Sequence, residues 1–178
     1  MSKKVNFDVV TPEETRAMFI GKQFGWSPYF LPELGHDKAK GPTEEMCAMF
    51  LPLDAQICSI FCNTRVVEKY KKILYAFGMK DNVRFVGYWK KNTALRPDNK
   101  NIWVSAYMRP GKALLLITNP LKEDVTTTFK LDREILGFAP RIKLKAKDAV
   151  ADKPIEIKGD IFTLDLKARR LRMIQIIR

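Results

Sequence analysis

From Val83 onward the spacing of apolar residues changes from a helical to a strand-like period, and no helical segment separates the short strands that follow. Turns at 109–112, 119–120 and 158–160 lie close together, which favours hairpins and antiparallel pairing. Parallel strands would need longer crossovers, usually helices. About eight strands are predicted, at 83–89, 102–108, 113–118, 125–131, 141–146, 155–157, 161–166 and 171–177.

Residues 141–147 show the strictest alternation of apolar and charged side chains, which is the pattern of a strand with one buried and one wet face. Ile142, Leu144 and Ala146 are predicted to face the core, and the cations between them are predicted to face water. The sequence therefore predicts an α+β chain. A loop-and-helix region at 1–80 precedes an antiparallel β-sandwich at 81–178.

Prolines and glycines interrupt residues 1–42 too often for long helices or strands. A short helix is predicted after Thr11, whose side chain caps it, with Pro12 in its first turn. A second helix is predicted to begin at a cap on Thr43 and to bend or end at Pro52. The N-terminal region is therefore expected to consist of short helices joined by packed loops.

The clearest helix runs from a cap at Asn63 or Thr64 to Phe77, with an apolar stripe on one face and Gly78 at its end. Between Pro52 and this cap, the apolar residues fit either a further helical turn or a buried loop. The helix is predicted to pack on one side only.

The net charge of +12 lies mostly in the second half of the chain. Residues 1–90 contain 13 basic and 10 acidic residues, and residues 91–178 contain 19 and 10. A basic excess is common in proteins that bind nucleic acid. No apolar run approaches the roughly 20 residues of a membrane helix. The N-terminus also lacks the apolar core of a signal peptide, so the chain as written is expected to be cytoplasmic and to have no membrane partner.

Cys47, Cys58 and Cys62 are odd in number and are predicted to be buried thiols in a reducing compartment. A zinc site built from Cys58, Cys62 and His36 would lack a suitable fourth ligand. No metal site and no cofactor is therefore predicted.

Four segments follow one another in a suggestive order, namely 85–89 (Phe-Val-Gly-Tyr-Trp), 104–107 (Val-Ser-Ala-Tyr), 112–119 (Lys-Ala-Leu-Leu-Leu-Ile-Thr-Asn) and 131–137. This order resembles the C-terminal end of large bacterial glycoside-hydrolase-like proteins, broadly those related to glycoside hydrolase family 123. The resemblance implies a (β/α) barrel followed by a β-sandwich. Residues 1–80 would match the last loops and helices of that barrel.

A complete barrel needs about 200 residues or more, which this chain cannot supply beside a sandwich. The resemblance implies that the catalytic carboxylates lie on the missing strands, and no residue here is matched to them. The chain is therefore expected to be a fragment or a reduced relative with no catalytic residues of its own, and whether it is an enzyme is left open.

Trp26, Tyr29, Tyr88 and Trp89 are candidates for stacking on sugar rings, because an aromatic face complements the apolar face of a pyranose. Such residues also fill cores and domain junctions. His36 beside Asp37 suggests acid–base chemistry or a solvated loop.

A second group of candidates is basic, and a surface formed by them would track phosphates. These residues are Arg141, Lys143, Lys145, Lys147, Arg169, Arg170 and Arg172. The alternative is a charged sheet edge that prevents aggregation. Asp54 follows an apolar stretch and is predicted either to be a partly buried carboxyl with a raised pKa or to cap a helix.

Three functions remain open at this point. The first is an accessory unit of a carbohydrate enzyme, with carbohydrate as partner. The second is a basic binding or assembly protein that contacts nucleic acid or a larger complex. The third is a chain whose fold is completed by another protein chain across an exposed apolar face on residues 1–80.

Overall fold

The computed structural model describes residues 7, 11–20, 29–31, 40–78, 82–90 and 94–178. Within them, short helices accompany sheets that are mostly antiparallel and are not closed into a barrel, so the predicted α+β class is confirmed. The helices are α1 (Pro12–Ile20), α2 (Lys40–Phe50), α3 (Thr64–Phe77) and α4 (Arg133–Leu136), with a 3-10 turn at Leu51–Leu53. None of the helices in this described part has the length and apolar character that crossing a bilayer requires.

The strands found in the same residues are numbered in chain order. They are β1 (Tyr29–Phe30), β2 (Gln56–Ile57), β3 (Arg84–Val86), β4 (Leu95–Pro97), β5 (Trp103–Arg109), β6 (Lys112–Asn119), β7 (Val125–Leu131), β8 (Lys145–Asp148), β9 (Lys153–Ile155), β10 (Ile161–Leu166) and β11 (Arg170–Ile177).

Two antiparallel sheets form the β-sandwich. One has the strand order β3-β5-β6-β11-β8-β9 and the other β10-β7-β4. Phe129 of β7 and Phe162 of β10 stack with ring centroids 5.3 Å apart in the core between the sheets. This inter-sheet core buries alternate residues of the strands on both sides, as expected for packed sheets.

The six-stranded sheet is covered on its other face as well. Along β6, Ala113, Leu115 and Ile117 belong to the inter-sheet core, whereas Leu114 and Leu116 belong to a second cluster that contains the buried faces of α2 and α3. We call this second cluster the outer core. Because both faces are covered, β6 is buried along nearly its whole length.

Polar contacts fix α2 and the 3-10 turn on this sheet. The Thr118 hydroxyl donates to the carbonyl of Ala48 over 2.9 Å, and the Ser105 hydroxyl donates to the carbonyl of Pro52 over 2.6 Å. Both hydroxyls are fully buried, so these bonds satisfy groups that would otherwise be costly to remove from water.

The predicted strands 125–131 and 161–166 are confirmed at their bounds, and 102–108, 113–118 and 171–177 within one residue. The prediction for 83–89 was too long, since pairing ends at Val86. The prediction for 141–146 was placed too early, because Ile177 at the end of β11 lies opposite Lys145 and offers no partner before it. The prediction 155–157 was placed too late, since β9 is Lys153–Ile155. The alternating burial of 141–147 is nevertheless confirmed.

β4 was missed because its sequence, Leu-Arg-Pro, is short and contains a proline. Proline is tolerated at a sheet edge, where β4 lies, because an edge strand leaves donors unpaired.

Two of the predicted helix starts are confirmed. The Thr11 hydroxyl accepts from the Glu14 amide over 3.1 Å while the Glu14 carboxylate accepts from the Thr11 amide over 2.9 Å, which forms a capping box. The Asn63 side chain caps α3 by accepting from the Val66 amide over 3.2 Å, and Gly78 ends that helix with φ of 84°. The left-handed conformation explains the glycine.

The cap predicted at Thr43 is wrong. α2 already begins at Lys40, so Thr43 lies inside the helix, where it is fully buried. Its hydroxyl accepts from the Asn63 amide over 3.0 Å and so connects α2 to the start of α3. Pro42 is compatible with this longer helix because proline is tolerated in a first turn.

An unpredicted feature lies in the N-terminal region. β1 and β2 pair in parallel, with Tyr29 opposite Gln56 and Phe30 opposite Ile57, and α2 lies between them in sequence. With α3 next, the order is β-α-β-α. The helix α2 supplies the crossover that a parallel pair needs.

Candidate functional site

The four stacking candidates do not form one cluster in the described structure. Trp26 lies outside the described residues, as do His36 and Asp37. Tyr29 lies in β1 and is 60% exposed. Tyr88 and Trp89 follow β3 and are half-buried against the outer core.

Other aromatic rings cover much of Tyr88 and Trp89. Tyr88 stacks on Trp103 at 4.6 Å with an interplanar angle of 5°, and Trp89 meets Tyr88 edge-on at 5.2 Å. Burial raises the pKa of the Tyr88 hydroxyl to about 12. A Cβ atom on Gly87 would lie 2.0 Å from the Trp89 ring, which explains the glycine. This geometry favours packing for both residues, and their contact with sugar stays a prediction.

Most of the basic candidates are paired with acids. The pairs are Arg169–Glu45 at 3.0 Å, Arg170–Glu44 at 3.2 Å, Arg172–Asp148 at 2.6 Å and Lys147–Asp152 at 2.7 Å. The first two connect α2 to Arg169, which immediately precedes β11, and to Arg170, the first residue of β11. Arg141, Lys143 and Lys145 are exposed at β8 and the loop before it. A phosphate-tracking role for this group stays a prediction, but four of its cations already contact carboxylates.

All three cysteines are buried with free thiols, as predicted. Burial raises the pKa of the Cys47 thiol well above its ordinary value. Among the residues that the structure describes, no group of His, Cys, Asp and Glu is arranged to hold a metal ion. Cys47 and Cys62 belong to the outer core, where a buried thiol packs as a small apolar group.

Asp54 lies at the point where the 3-10 turn ends and β2 is about to begin. Its backbone is left-handed, with φ of 60°, and its amide donates to the Leu51 carbonyl over 3.1 Å. Asp54 therefore caps the C-terminal end of the 3-10 turn. The helix-cap prediction holds for that turn and not for the start of a following helix. Aspartate is among the residues that tolerate this conformation.

The Asp54 carboxyl is held by a residue of the sheet. The hydroxyl of Tyr107, which is 3% exposed in β5, donates to Oδ1 of Asp54 over 2.6 Å. Partial burial raises the pKa of the Asp54 carboxyl, and the bond from Tyr107 partly offsets that rise. Burial, together with the Asp54 charge, raises the pKa of Tyr107 well above its ordinary value. The raised-pKa prediction for Asp54 is thus confirmed.

Asp54 and Tyr107 line a cleft of about 140 Å³ between the 3-10 turn, β2 and α3. Its lining residues are Leu51, Asp54, Ala55, Gln56, Ile57, Lys71, Leu74, Tyr75 and Tyr107. Tyr75 is 72% exposed, and Tyr29 lies beside Gln56 through the parallel pairing. The cleft therefore combines buried apolar walls with a polar mouth that Tyr75 lines, and Tyr29 lies outside the described lining, opposite Gln56.

Few features of the sequence point to this cleft. Tyr75 lies in α3 outside the apolar stripe that faces the core, and an aromatic residue in that position is a usable signal. Tyr107 lies 53 residues from Asp54, so no local spacing connects them.

The raised pKa of Asp54 predicts how an Asp54→Asn variant responds to pH. The folded chain holds the proton to higher pH than the unfolded chain does, so the stability contributed by the protonated group is lost as pH rises through the folded pKa. We expect the Tm of Asp54→Asn, relative to the unsubstituted chain, to rise from about pH 4 to about pH 7.

Asp152→Asn is the matched control in thermal scans, because Asp152 is also left-handed, with φ of 54°. Its pKa is lowered by the bond from Lys147, so any pH effect has the opposite sign. A relative Tm of Asp54→Asn that stays flat or falls over this range contradicts the assignment.

The sandwich strands and the helix before them also allow comparison with known proteins. Residues 68–155, from within α3 to the end of β9, match the family model described as glycoside hydrolase 123, C-terminal domain. The chain resembles the C-terminal portion of glycoside hydrolase 123 proteins. The resemblance drawn from segments 85–89, 104–107, 112–119 and 131–137 is thereby confirmed. No curated protein matches the sequence.

Solved structures with similar folds are glycoside hydrolases. Alpha-galactosidase I from Mortierella vinacea gives a TM-score of 0.57 at 14% identity over 92% of this chain and 42% of that chain. The noncanonic maltogenic alpha-amylase AmyB from Thermotoga neapolitana gives a TM-score of 0.56 at 11% identity over 98% of this chain and 48% of that chain. A GH30 endoxylanase from Clostridium papyrosolvens C71 gives a TM-score of 0.52 at 12% identity over 84% of this chain and 42% of that chain. The chain spans less than half of each, and such low identities show the fold alone.

Proposed function

We propose that the chain is a carbohydrate-enzyme-related accessory unit, the C-terminal part of a glycoside-hydrolase-like protein, with no hydrolytic activity of its own. The observation that carries this proposal is the family match over 68–155, because those residues build most of the β-sandwich. The names of the similar solved structures, an amylase, a galactosidase and a xylanase, support a carbohydrate setting.

The absence of activity is proposed because the described carboxylates with low exposure are occupied in structural contacts. Glu45 and Asp148 pair with arginines in or immediately before β11, and Asp160 pairs with Arg133 at 2.6 Å. Glycoside hydrolysis ordinarily needs two carboxyl groups across an open site, one of them free to give a proton. Asp54 has a raised pKa, but among the described residues no second carboxylate lines its cleft.

We propose further that residues 1–80 correspond to the end of a (β/α) barrel and that 81–178 form the accessory sandwich. The parallel order β1-α2-β2-α3 supports this division, because it is the repeating unit of such barrels. The likeness to AmyB also extends over 98% of the chain and so includes this region.

Another protein chain that supplies further β/α units is the proposed partner of this region. Parallel sheets rarely occur as isolated strand pairs, and within the described residues β1 and β2 each have one strand neighbour. Most of the exposed large apolar side chains also lie in residues 1–80. They are Met18, Tyr29, Leu31, Ile60, Phe61 and Tyr75, with only Ile161 elsewhere among the described residues.

Hydrolysis of aryl glycosides tests the inactive part of the proposal. We expect the purified chain to release nitrophenol from a panel of nitrophenyl glycosides no faster than buffer alone does. Saturable turnover that follows the chain through purification would overturn this part.

The alternative function is that of a basic protein that contacts nucleic acid. The salt dependence of DNA or RNA binding tests it. Phosphate tracking predicts DNA or RNA binding that weakens steeply between about 50 mM and about 200 mM salt. Because carboxylates already pair with four of the candidate cations, we expect only weak binding at the lower salt. Tight, salt-sensitive binding of nucleic acid, without retention on neutral polysaccharide, would replace the carbohydrate proposal.

A further inference from the structure

The geometry points to the cleft at Asp54 as a binding site for a single neutral sugar ring, with Asp54 and Gln56 as hydrogen-bonding groups and Tyr75 and Tyr29 as aromatic contacts. We call these four residues the cleft site. This inference deepens the proposed carbohydrate-related function and rests on it.

The size of the cleft limits the occupant. Its volume of about 140 Å³ is below the roughly 300–1,000 Å³ of sites that take drug-sized ligands. Leu51, Ala55 and Ile57 are buried in its wall, so the cleft ends against the outer core. One ring fits such a space, and further units of a chain would have to lie outside it.

The polar groups at the mouth suit hydroxyls. Oδ1 of Asp54 accepts from Tyr107, and within the described residues no hydrogen bond engages Oδ2. Nor does any described residue engage the side-chain amide of Gln56, which offers both a donor and an acceptor. A sugar hydroxyl is itself a donor and an acceptor and therefore complements both groups.

Two tyrosines supply the apolar contacts. Tyr75 lines the cleft and is 72% exposed, and Tyr29 is 60% exposed on the same face of the parallel pair as Gln56. The inward residues of that pair, Phe30 and Ile57, join the outer core instead. An exposed ring beside a carboxylate and an amide matches a ligand with one apolar face and a polar rim.

The site is held in place before any ligand arrives. Tyr107 is anchored in the six-stranded sheet and fixes the Asp54 carboxyl, and the Leu51 carbonyl fixes the Asp54 amide. Rigid polar groups lose little freedom on binding, which favours affinity. The cleft lining contains both the Asp54 carboxyl and the Lys71 ammonium, so neither an anion nor a cation is selected by charge alone.

The test is a titration of the isotope-labelled chain with methyl glycosides of glucose, galactose, mannose and xylose, followed by backbone amide NMR shifts. At least one probe is expected to shift the amides of Asp54, Gln56 and Tyr75 saturably, with about millimolar affinity. Tyr75→Ala and Asp54→Asn are each expected to weaken binding about tenfold or more.

Two control variants are expected to leave the affinity unchanged. Asp152→Asn makes the same substitution at another left-handed aspartate, and Phe61→Ala removes an exposed aromatic ring that does not line the cleft. The amide spectrum of each variant also reports whether it is folded. Tyr75 is exposed, so its loss is not expected to disturb the fold.

Absence of saturable shifts at the cleft with every probe overturns the inference, as does affinity that survives both cleft substitutions. Retention of the chain on polysaccharide without shifts at the cleft would refute the cleft site and leave the proposed function standing. Shifts at the cleft together with turnover of aryl glycosides would support the cleft site and refute the proposal that the chain has no hydrolytic activity.

Discussion

Replacing Leu116 with alanine is expected to lower the free energy of unfolding by about 2–5 kcal/mol. Leu116 is fully buried on the face of β6 that meets the helices, so its removal leaves a cavity in the outer core. Leu115→Ala is the matched variant, because Leu115 is equally buried on the opposite face, in the inter-sheet core. We expect losses of similar size in denaturant unfolding.

Comparing the two variants distinguishes a sheet with one solvent-exposed face from a sheet that is covered on both faces. If the face of β6 that carries Leu116 were exposed to solvent, replacing Leu116 would lower the free energy of unfolding by no more than about 0.5 kcal/mol, as at ordinary surface positions. A small loss for Leu116→Ala beside a large loss for Leu115→Ala would contradict the packing of α2 and α3 on the sheet.

Phe50→Ala is expected to cost about 3–5 kcal/mol. Phe50 ends α2 and is 2% exposed, and its ring stacks on Phe30 at 3.9 Å with an interplanar angle of 16°. It also meets Phe19 edge-on at 5.0 Å. Loss of this ring removes the contact that joins α1, β1 and α2.

Phe61→Ala is the control for Phe50→Ala, since Phe61 is 45% exposed in the loop after β2. Its replacement is expected to change stability by no more than about 0.5 kcal/mol. Equal losses for the two variants, measured by denaturant unfolding, would show that the three rings of the N-terminal region do not form the cluster described above.

The antiparallel sandwich was predictable because its exposed strands alternate cleanly. In β10 the residues alternate strictly between exposed and buried, and in β7 nearly so, which is what a sheet with one wet face imposes. β6 was predictable as a strand from its apolar run, but not in its surroundings. A run of leucines does not reveal that helices cover the second face.

The parallel pair could not be predicted, because two-residue strands are too short to show a period. Thr43 was assigned as a cap from local preference, yet its buried bond to Asn63 depends on a contact across 20 residues. Tertiary packing decided both features.

The basic residues illustrate the same limit at the level of function. In the sequence, Arg169 appears as one cation in a basic stretch, but its partner Glu45 lies 124 residues away. Likewise, Asp54 became a candidate site only once β5 placed Tyr107 beside it. Composition showed the charge, and folding determined which charges are already paired.

Retention on immobilised neutral polysaccharides, among them starch, xylan and galactan, tests the central claim most directly. A carbohydrate-related accessory unit is expected to be retained on at least one of them, to a similar extent at about 50 mM and about 200 mM salt, since hydrogen bonds and ring contacts are less screened than charge pairs. Passage through every polysaccharide without delay, or retention that salt abolishes, would contradict the account.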